Sequence, residues 1–367
     1  MTLARTPLSR AGRGTTAALL LASNAPDIDI LATAGGAVNY LSWHRGPTHG
    51  PLGVVGLGVV VAGIVWAGRR VLDRRRSKTA AIAVANVRPD ASFGMLVAVS
   101  IIGVLLHVLM DLPTSYGMRL LSPLSWHWFV VDWMPIVDIY LLVTLIAGMG
   151  FGSRASGVRR RNATIVLTIM AANYGVRAVA HHQALELVPR LFGPTLPQPC
   201  DPRSPSASPI DSWPRARVPT SPPAGQRCLV EVAAMPSFTS PFRWRIIVQF
   251  SNAYEIRDID LLDARFRSPD ADSDVLWRLT LRYPNVWTPE VEKAAATHLG
   301  QVFLGFSRFP AARSAVDAHG ITTVRFTDMR FAGGLVALDQ PVGRANPFTA
   351  MVRIGADGQI LEESLGR

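Results

Sequence analysis

Glutamate is missing from the first half of this chain. None occurs before Glu186, and only seven aspartates do. Charge is scarce overall, 17% of 367 residues, against about 25% in an ordinary soluble domain. With 49% hydrophobic residues beside it, that shortage excludes a disordered chain, a coiled coil and a purely soluble enzyme. The other acidic residues all lie from Glu186 onward, so the first half reads as membrane and the second as soluble protein. Cysteine is nearly absent too. Cys200 and Cys228 alone cannot build a tetrahedral zinc–thiolate site. No secretory leader with a small-residue cleavage site stands at the start, which leaves targeting to the first membrane helix.

What is present is positive charge, a net +11. Much of it sits in two runs between apolar segments, Arg69–Arg76 and Arg154–Arg161. These read as cytoplasmic anchoring loops rather than a nucleic-acid surface, so no nucleic-acid partner is expected. Four stretches have the length and apolarity of membrane helices: Gly50–Gly68, Ser92–Met110, Pro135–Gly152 and Asn162–Val176. Thr15–Ala25 is apolar but too short to span, and reads as a half-helix stopped by Pro26 and Asp27. Arg5, Arg10 and Arg13 place the N-terminus inside. The loops Gly35–His49 and Asp111–Met134, with one arginine each, then face outward, as does everything beyond about residue 180.

The expected fold is an α-helical polytopic membrane domain followed by a small extracytoplasmic β-rich (α+β) domain. The boundaries are 1–180 for the membrane domain, 181–236 for a Pro/Ser-rich linker, and 237–367 for the soluble domain. Both cysteines fall in the linker, where they pair if that side is oxidising and stay free thiols if not. In the last domain, Trp244–Phe250, Tyr254–Arg265, Leu276–Tyr283, Thr322–Phe331 and Thr349–Arg353 read as strands. Glu290–Phe306 suits a helix, and Gly355–Gly358 a turn.

Polar clusters punctuate the apolar half. Asp27 and Asp29 follow the helix-breaking Pro26 and offer hard oxygen ligands to one cation. His44 and His49 bracket Arg45-Gly46-Pro47-Thr48, where Gly46 and Pro47 can turn both rings to one point. Arg45 can hold an anionic group with its planar fork. His107 and Asp111 share a helical face at i, i+4, and an imidazole in an apolar helix is costly unless it is paired. Asp132 and Asp138 form a softer set. Asp138 can ligate a metal, orient a ligand histidine or act as a general base, or it can simply complement a helix N-terminus. His127 reads as part of an aromatic interfacial belt, His181 and His182 as interfacial, and His298 and His319 as surface residues. By the arginine orientation all the polar clusters lie at the outer membrane face. A mixed imidazole and carboxylate set suits zinc, manganese or iron, as one ion or two.

Ala22-Ser-Asn-Ala-Pro-Asp-Ile-Asp29, His44-Arg-Gly-Pro-Thr-His49, His107-Val-Leu-Met-Asp-Leu-Pro-Thr-Ser-Tyr-Gly117 with Leu121-Ser-Pro-Leu124, and Asp132-Trp-Met-Pro-Ile-Val-Asp138 occur here in one order. Together they resemble the YdjM-type inner-membrane metal-dependent hydrolases of bacteria, over roughly residues 15–150. The resemblance implies a hydrolase of the cytoplasmic membrane with Asp27, Asp29, His44, His49, His107 and Asp111 as metal ligands. Members of that family begin with a further helix carrying an early Thr-His pair. Here no histidine precedes His44, so the resemblance implies a segment upstream of Met1.

The leading expectation is hydrolysis of an ester or phosphoester, lipid or envelope-related. Arg45 would bind an anionic headgroup, Asp138 or Asp132 would accept a proton, and membrane lipid would be the surrounding partner. The alternative is a membrane scaffold or sensor whose metal site is structural. An ion transporter is disfavoured, because the ionisable residues cluster at one face instead of running through the membrane.

Overall fold

The computed structural model describes residues 2, 5, 11–77, 89–150, 156–192, 196–200, 210–214, 227–267, 281–331 and 348–366. They fall into two compact units. The first comprises Met1–Leu31, Trp43–Val130 and Ile136–Val176. The second comprises Ala32–Ser42, Val131–Pro135 and Arg177–Arg367.

Helices dominate the first unit. A short α1 (Thr15–Ala22) leads into a 3-10 stretch, Pro26–Gly35, because Pro26 cannot continue an α-helix. After α2 (Ala37–Trp43), which up to Ser42 belongs to the second unit, come α3 (Pro51–Ser77) and α4 (Phe93–Asp111). Ala18, Leu19 and Ala22 of α1 pack with Val61, Ala62 and Val65 of α3 and with Leu96, Val99 and Val104 of α4. Small residues let the backbones close up. A Cβ at Gly58 would sit 2.5 Å from Ile101, and one at Gly103 would sit 2.8 Å from the Cβ of Ala22. The outward faces stay apolar and uncovered, with Val55, Val60 and Ile64 on α3 and Ile102, Leu105 and Leu109 on α4. Exposed apolar stripes of this kind suit lipid, not water.

Among the described residues, three helices are long and apolar enough to cross a membrane: α3, α4 and the later α6 (Ser156–Glu186). Of the expected third span, Pro135–Gly152, the described residues carry a shorter apolar helix, α5 (Ile139–Gly150). It starts late because Asp138, not Pro135, opens the helix: its Oδ1 accepts the Leu141 N–H at 2.8 Å. Residues 151–155, including Arg154, lie outside the described residues. The arginines expected in loops lie in helices. Arg69, Arg70, Arg74 and Arg75 form the last turns of α3, where positive charge complements the helix dipole. Arg159–Arg161 lie in the first turns of α6.

The second unit carries two antiparallel four-stranded sheets. Short strands β1 (Trp128–Val130, in the first unit) and β2 (Asp211–Trp213) precede them in the chain. In the first sheet, β3 (Leu229–Pro236), β4 (Arg243–Phe250), β5 (Ala253–Asp260) and β6 (Leu281–Pro284) are neighbours in sequence order. In the second, β7 (Pro310–Val316), β8 (Thr322–Asp328), β9 (Thr349–Ile354) and β10 (Ile360–Leu365) likewise follow one another. Strand β4 buries both its faces. Trp244, Ile246, Val248 and Phe250 pack with Ala180, Ala184, Val188, Leu191 and Phe192, while Ile247 packs with Phe309, Ala311 and Met329. Each such large apolar side chain contributes about 1.5–3 kcal/mol.

The expected strands Trp244–Phe250, Tyr254–Arg265, Thr322–Phe331 and Thr349–Arg353 appear with shifted ends, as does the turn at Gly355–Gly358 between β9 and β10. Residues 276–280 of another expected strand lie outside the described residues. The expected helix Glu290–Phe306 is two helices, α9 (Pro289–Ala295) and α10 (His298–Phe306), because Thr297 stops one and caps the next through its Oγ1 on the Gly300 N–H, 3.1 Å. The stretch read as a linker contains the end of α6, α7 (Val188–Phe192) and β3. The short helix α8 (Ala264–Arg267) follows β5. Cys200 and Cys228 form a disulfide.

Candidate functional site

Three chain segments of the first unit bring the expected ligands together. The 3-10 stretch supplies Asp27 and Asp29, the turn before α3 supplies His44, Arg45 and His49, and α4 supplies His107 and Asp111. One ligand atom each from Asp27, His49 and His107 lie within 4.8 Å of one another. His107 Nε2 is 3.4 Å from Asp27 Oδ1 and 3.6 Å from Asp111 Oδ2. His49 Nε2 is 3.7 Å from the same Asp111 oxygen. Neither imidazole nitrogen has a hydrogen-bond partner among the described residues, and both atoms are buried.

Tautomers follow from the other side of each ring. His107 Nδ1 lies 2.9 Å from the carbonyl oxygen of Ser23. A carbonyl only accepts, so Nδ1 carries the hydrogen and Nε2 of a neutral ring keeps its lone pair. His49 Nδ1 lies 3.0 Å from Thr48 Oγ1. Burial pushes the His49 imidazole below its ordinary pKa and favours the neutral form. The Asp27 carboxyl is held below its usual range, foremost by its contact with His107. Asp27 is also the open member of the group: its side chain is 59% exposed, against 0% for His49 and 12% for His107.

Asp29 and His44 stand apart from that point. Asp29 Oδ2 accepts the Arg45 backbone N–H at 2.7 Å and lies 3.3 Å from His44 Nδ1 and 3.8 Å from His49 Nδ1. The reason is that the stretch is helical and not extended. With three residues per turn, side chains two apart diverge by about 120°, so Asp27 and Asp29 face different neighbours instead of converging on one cation. Asp29 supports the turn that carries the histidines by accepting the Arg45 N–H.

The remaining expected residues have other partners. Asp138 Oδ1 caps α5 and receives Asn173 Nδ2 at 3.4 Å. Asp132 belongs to the second unit, where its Oδ2 takes the Arg308 guanidinium at 2.6 Å. Burial raises the Asp132 carboxyl above its ordinary range even against that positive charge. Arg308 also bonds Asp211 and Glu231, each at 2.7 Å. No spacing rule links those four residues, because they come from two loops and two separate strands. The Ser23 carbonyl was likewise hidden, since a backbone acceptor has no residue-type signature.

Two histidines and two carboxylates thus meet beside the ends of apolar helices. Comparison with curated proteins gave no match, and comparison with solved structures gave none either. Residues 1–184, half of the chain and all of the ligand-type cluster, match the family described as YdjM inner membrane protein, and the chain belongs to that family.

Proposed function

We propose that this protein is a membrane-embedded metal-dependent hydrolase of an ester or phosphoester, with Asp27, His49, His107 and Asp111 as its ligand set. The observation that carries the reading is the pair of buried imidazole Nε2 atoms without hydrogen-bond partners, set 3.4–3.7 Å from two carboxylate oxygens. These contacts are not hydrogen bonds. They fit the edge of a tetrahedron, about 3.3 Å for ligand distances near 2.0–2.1 Å. The donor set suits zinc, manganese or iron.

Such a cation supplies Lewis-acid polarisation of the substrate oxygen and acidifies water. The chain's own residues do the rest. The Ser23 carbonyl and Thr48 hydroxyl orient the rings, Asp29 steadies the turn, and the buried histidines keep water out from below. Asp27, the exposed member, marks the side from which substrate enters. An open side favours catalysis over a scaffold or sensor with a closed structural site. A position beside the ends of apolar helices favours a lipid or envelope-related substrate. The disulfide supports an extracytoplasmic second unit, since such bonds persist in oxidising compartments, and the arginine distribution agrees.

The test is elemental analysis of detergent-purified protein after metal has been offered, followed by a screen of phosphoesters and lipid esters. One or two equivalents of metal in the wild type, lost in His107→Ala, are expected, with hydrolysis lost in parallel. Metal-free wild type refutes the site. Metal without hydrolysis moves the scaffold reading ahead.

A further inference from the structure

The guanidinium of Arg45 reaches the same carboxylate that both histidines face. Its Nη2 lies 3.0 Å from Asp111 Oδ2. Its Nη1 donates to Thr114 Oγ1 at 3.2 Å and to the Gly117 carbonyl at 3.1 Å. The Tyr116 ring lies beneath it at 4.9 Å. The backbone is engaged as fully: the Arg45 N–H donates to Asp29 Oδ2 at 2.7 Å, and its carbonyl accepts the Arg119 N–H at 3.0 Å. To make these contacts Arg45 adopts φ 49°, a left-handed conformation rare for a residue with a Cβ.

We infer that Arg45 is a positioning residue, a clamp that fixes Asp29 through its backbone and Asp111 through its side chain. The inference rests on the metal reading above and gives Arg45 a different task from holding an anionic substrate group. The fork is filled by groups of the chain itself, and the side chain is only 11% exposed. Through Asp111, Arg45 sets where a ligand oxygen stands relative to His49 and His107. Through Asp29, it holds the turn from which His44 and His49 project. Planarity matters here, because one guanidinium donates to Thr114 and the Gly117 carbonyl in fixed directions while it pairs in charge with Asp111, which a lysine point charge cannot copy.

The left-handed backbone supplies a clean variant. Arg45→Gly accepts φ 49° without strain and keeps the backbone bond to Asp29, so it removes the side chain alone. The experiment titrates cobalt(II) into the full chain in detergent and follows the visible ligand-field bands. Outer partners of ligands are typically worth 10–100-fold in affinity. Arg45→Gly is therefore expected to bind cobalt 10–100-fold more weakly with altered bands, Arg45→Lys to remain weak, and added guanidinium ion to restore much of the loss in the glycine variant. A merely structural loss would not respond to guanidinium. A second arm uses metal-free protein: the melting shifts of Arg45→Gly and Asp111→Asn should be non-additive in the double variant. Wild-type affinity and bands in Arg45→Gly, or additive shifts in the metal-free cycle, overturn the clamp and leave the hydrolase reading standing. A wild type that takes up no cobalt overturns both.

Discussion

Replacing Arg308 by methionine tests the second unit at its most charged interior point. The guanidinium is fully buried and makes bonds of 2.6 Å to Asp132, 2.7 Å to Asp211 and 2.7 Å to Glu231. Methionine fills much of the space and leaves three carboxylates without their cation. Asp211 is 24% exposed and can hydrate, whereas Asp132 and Glu231, at 3% and 5%, cannot. An orphaned buried carboxylate escapes by taking a proton. Near pH 7, about three units above an ordinary carboxyl pKa, that costs about 4 kcal/mol at 1.36 kcal/mol per unit. The figure agrees with the 3–5 kcal/mol typical of breaking a buried ion pair from one side.

The pH dependence has a definite sign. In the variant, the folded-state pKa of Asp132 lies further above its unfolded value than in the wild type, because burial already raises it with Arg308 in place. The penalty is therefore full at neutral pH and shrinks as pH falls toward the unfolded carboxyl range. Denaturant unfolding of the full chain in detergent reads this through Trp213, whose ring lies 5.6 Å from the Arg308 guanidinium. We expect a deficit of at least about 4 kcal/mol at pH 7, the cost for one of the two orphaned carboxylates, that narrows by pH 5, and partial rescue by adding Asp132→Asn. A deficit below about 1 kcal/mol, the scale of an exposed pair, or one independent of pH, refutes the argument.

Asp138 is a cap in this structure, so Asp138→Ala should lower thermal stability by about 1 kcal/mol while metal uptake stays at the wild-type level. Asp138→Asn, which keeps an accepting oxygen, should be nearly silent; loss of metal in either variant would return Asp138 to the site. For the cysteines, separated by 28 residues, the loop-entropy relation gives about 3.6 kcal/mol of stabilisation. In intact cells a thiol reagent should label neither cysteine until reductant is added, and labelling without reductant would argue against an oxidising location for the second unit.

How much was legible depended on the length scale of the pattern. His107 and Asp111 are four residues apart on a helix, and the structure keeps them 3.6 Å apart, since helical periodicity leaves little freedom. Asp27 and Asp29 looked like a convergent pair, but the chain stays helical after Pro26, which sends side chains two apart in different directions, and nothing in four residues announces that. β3 was hidden because Ala233, Ala234 and Met235 are all buried, which erases the alternation that marks a half-exposed strand. Asp132 was grouped with the membrane-face acids by position in the chain. Its partner Arg308 lies 176 residues away, beyond any local rule. The spans were read well where the apolar run was long, and poorly at α5, where a capping carboxylate moved the start.

The bond from His107 to the Ser23 carbonyl gives the site an unusual genetic profile. The partner that selects the ring's tautomer is main chain, present whatever amino acid occupies position 23. A scan replacing one side chain at a time would therefore pass over it in silence. What holds that carbonyl in reach is the end of α1 lying against Gly103, one turn before His107 on the same face of α4. Sensitivity to substitution should surface there, at a glycine with no functional group of its own, and also at Ala22, whose methyl it faces. The chemistry of an imidazole is thus inherited by residues chosen for being small.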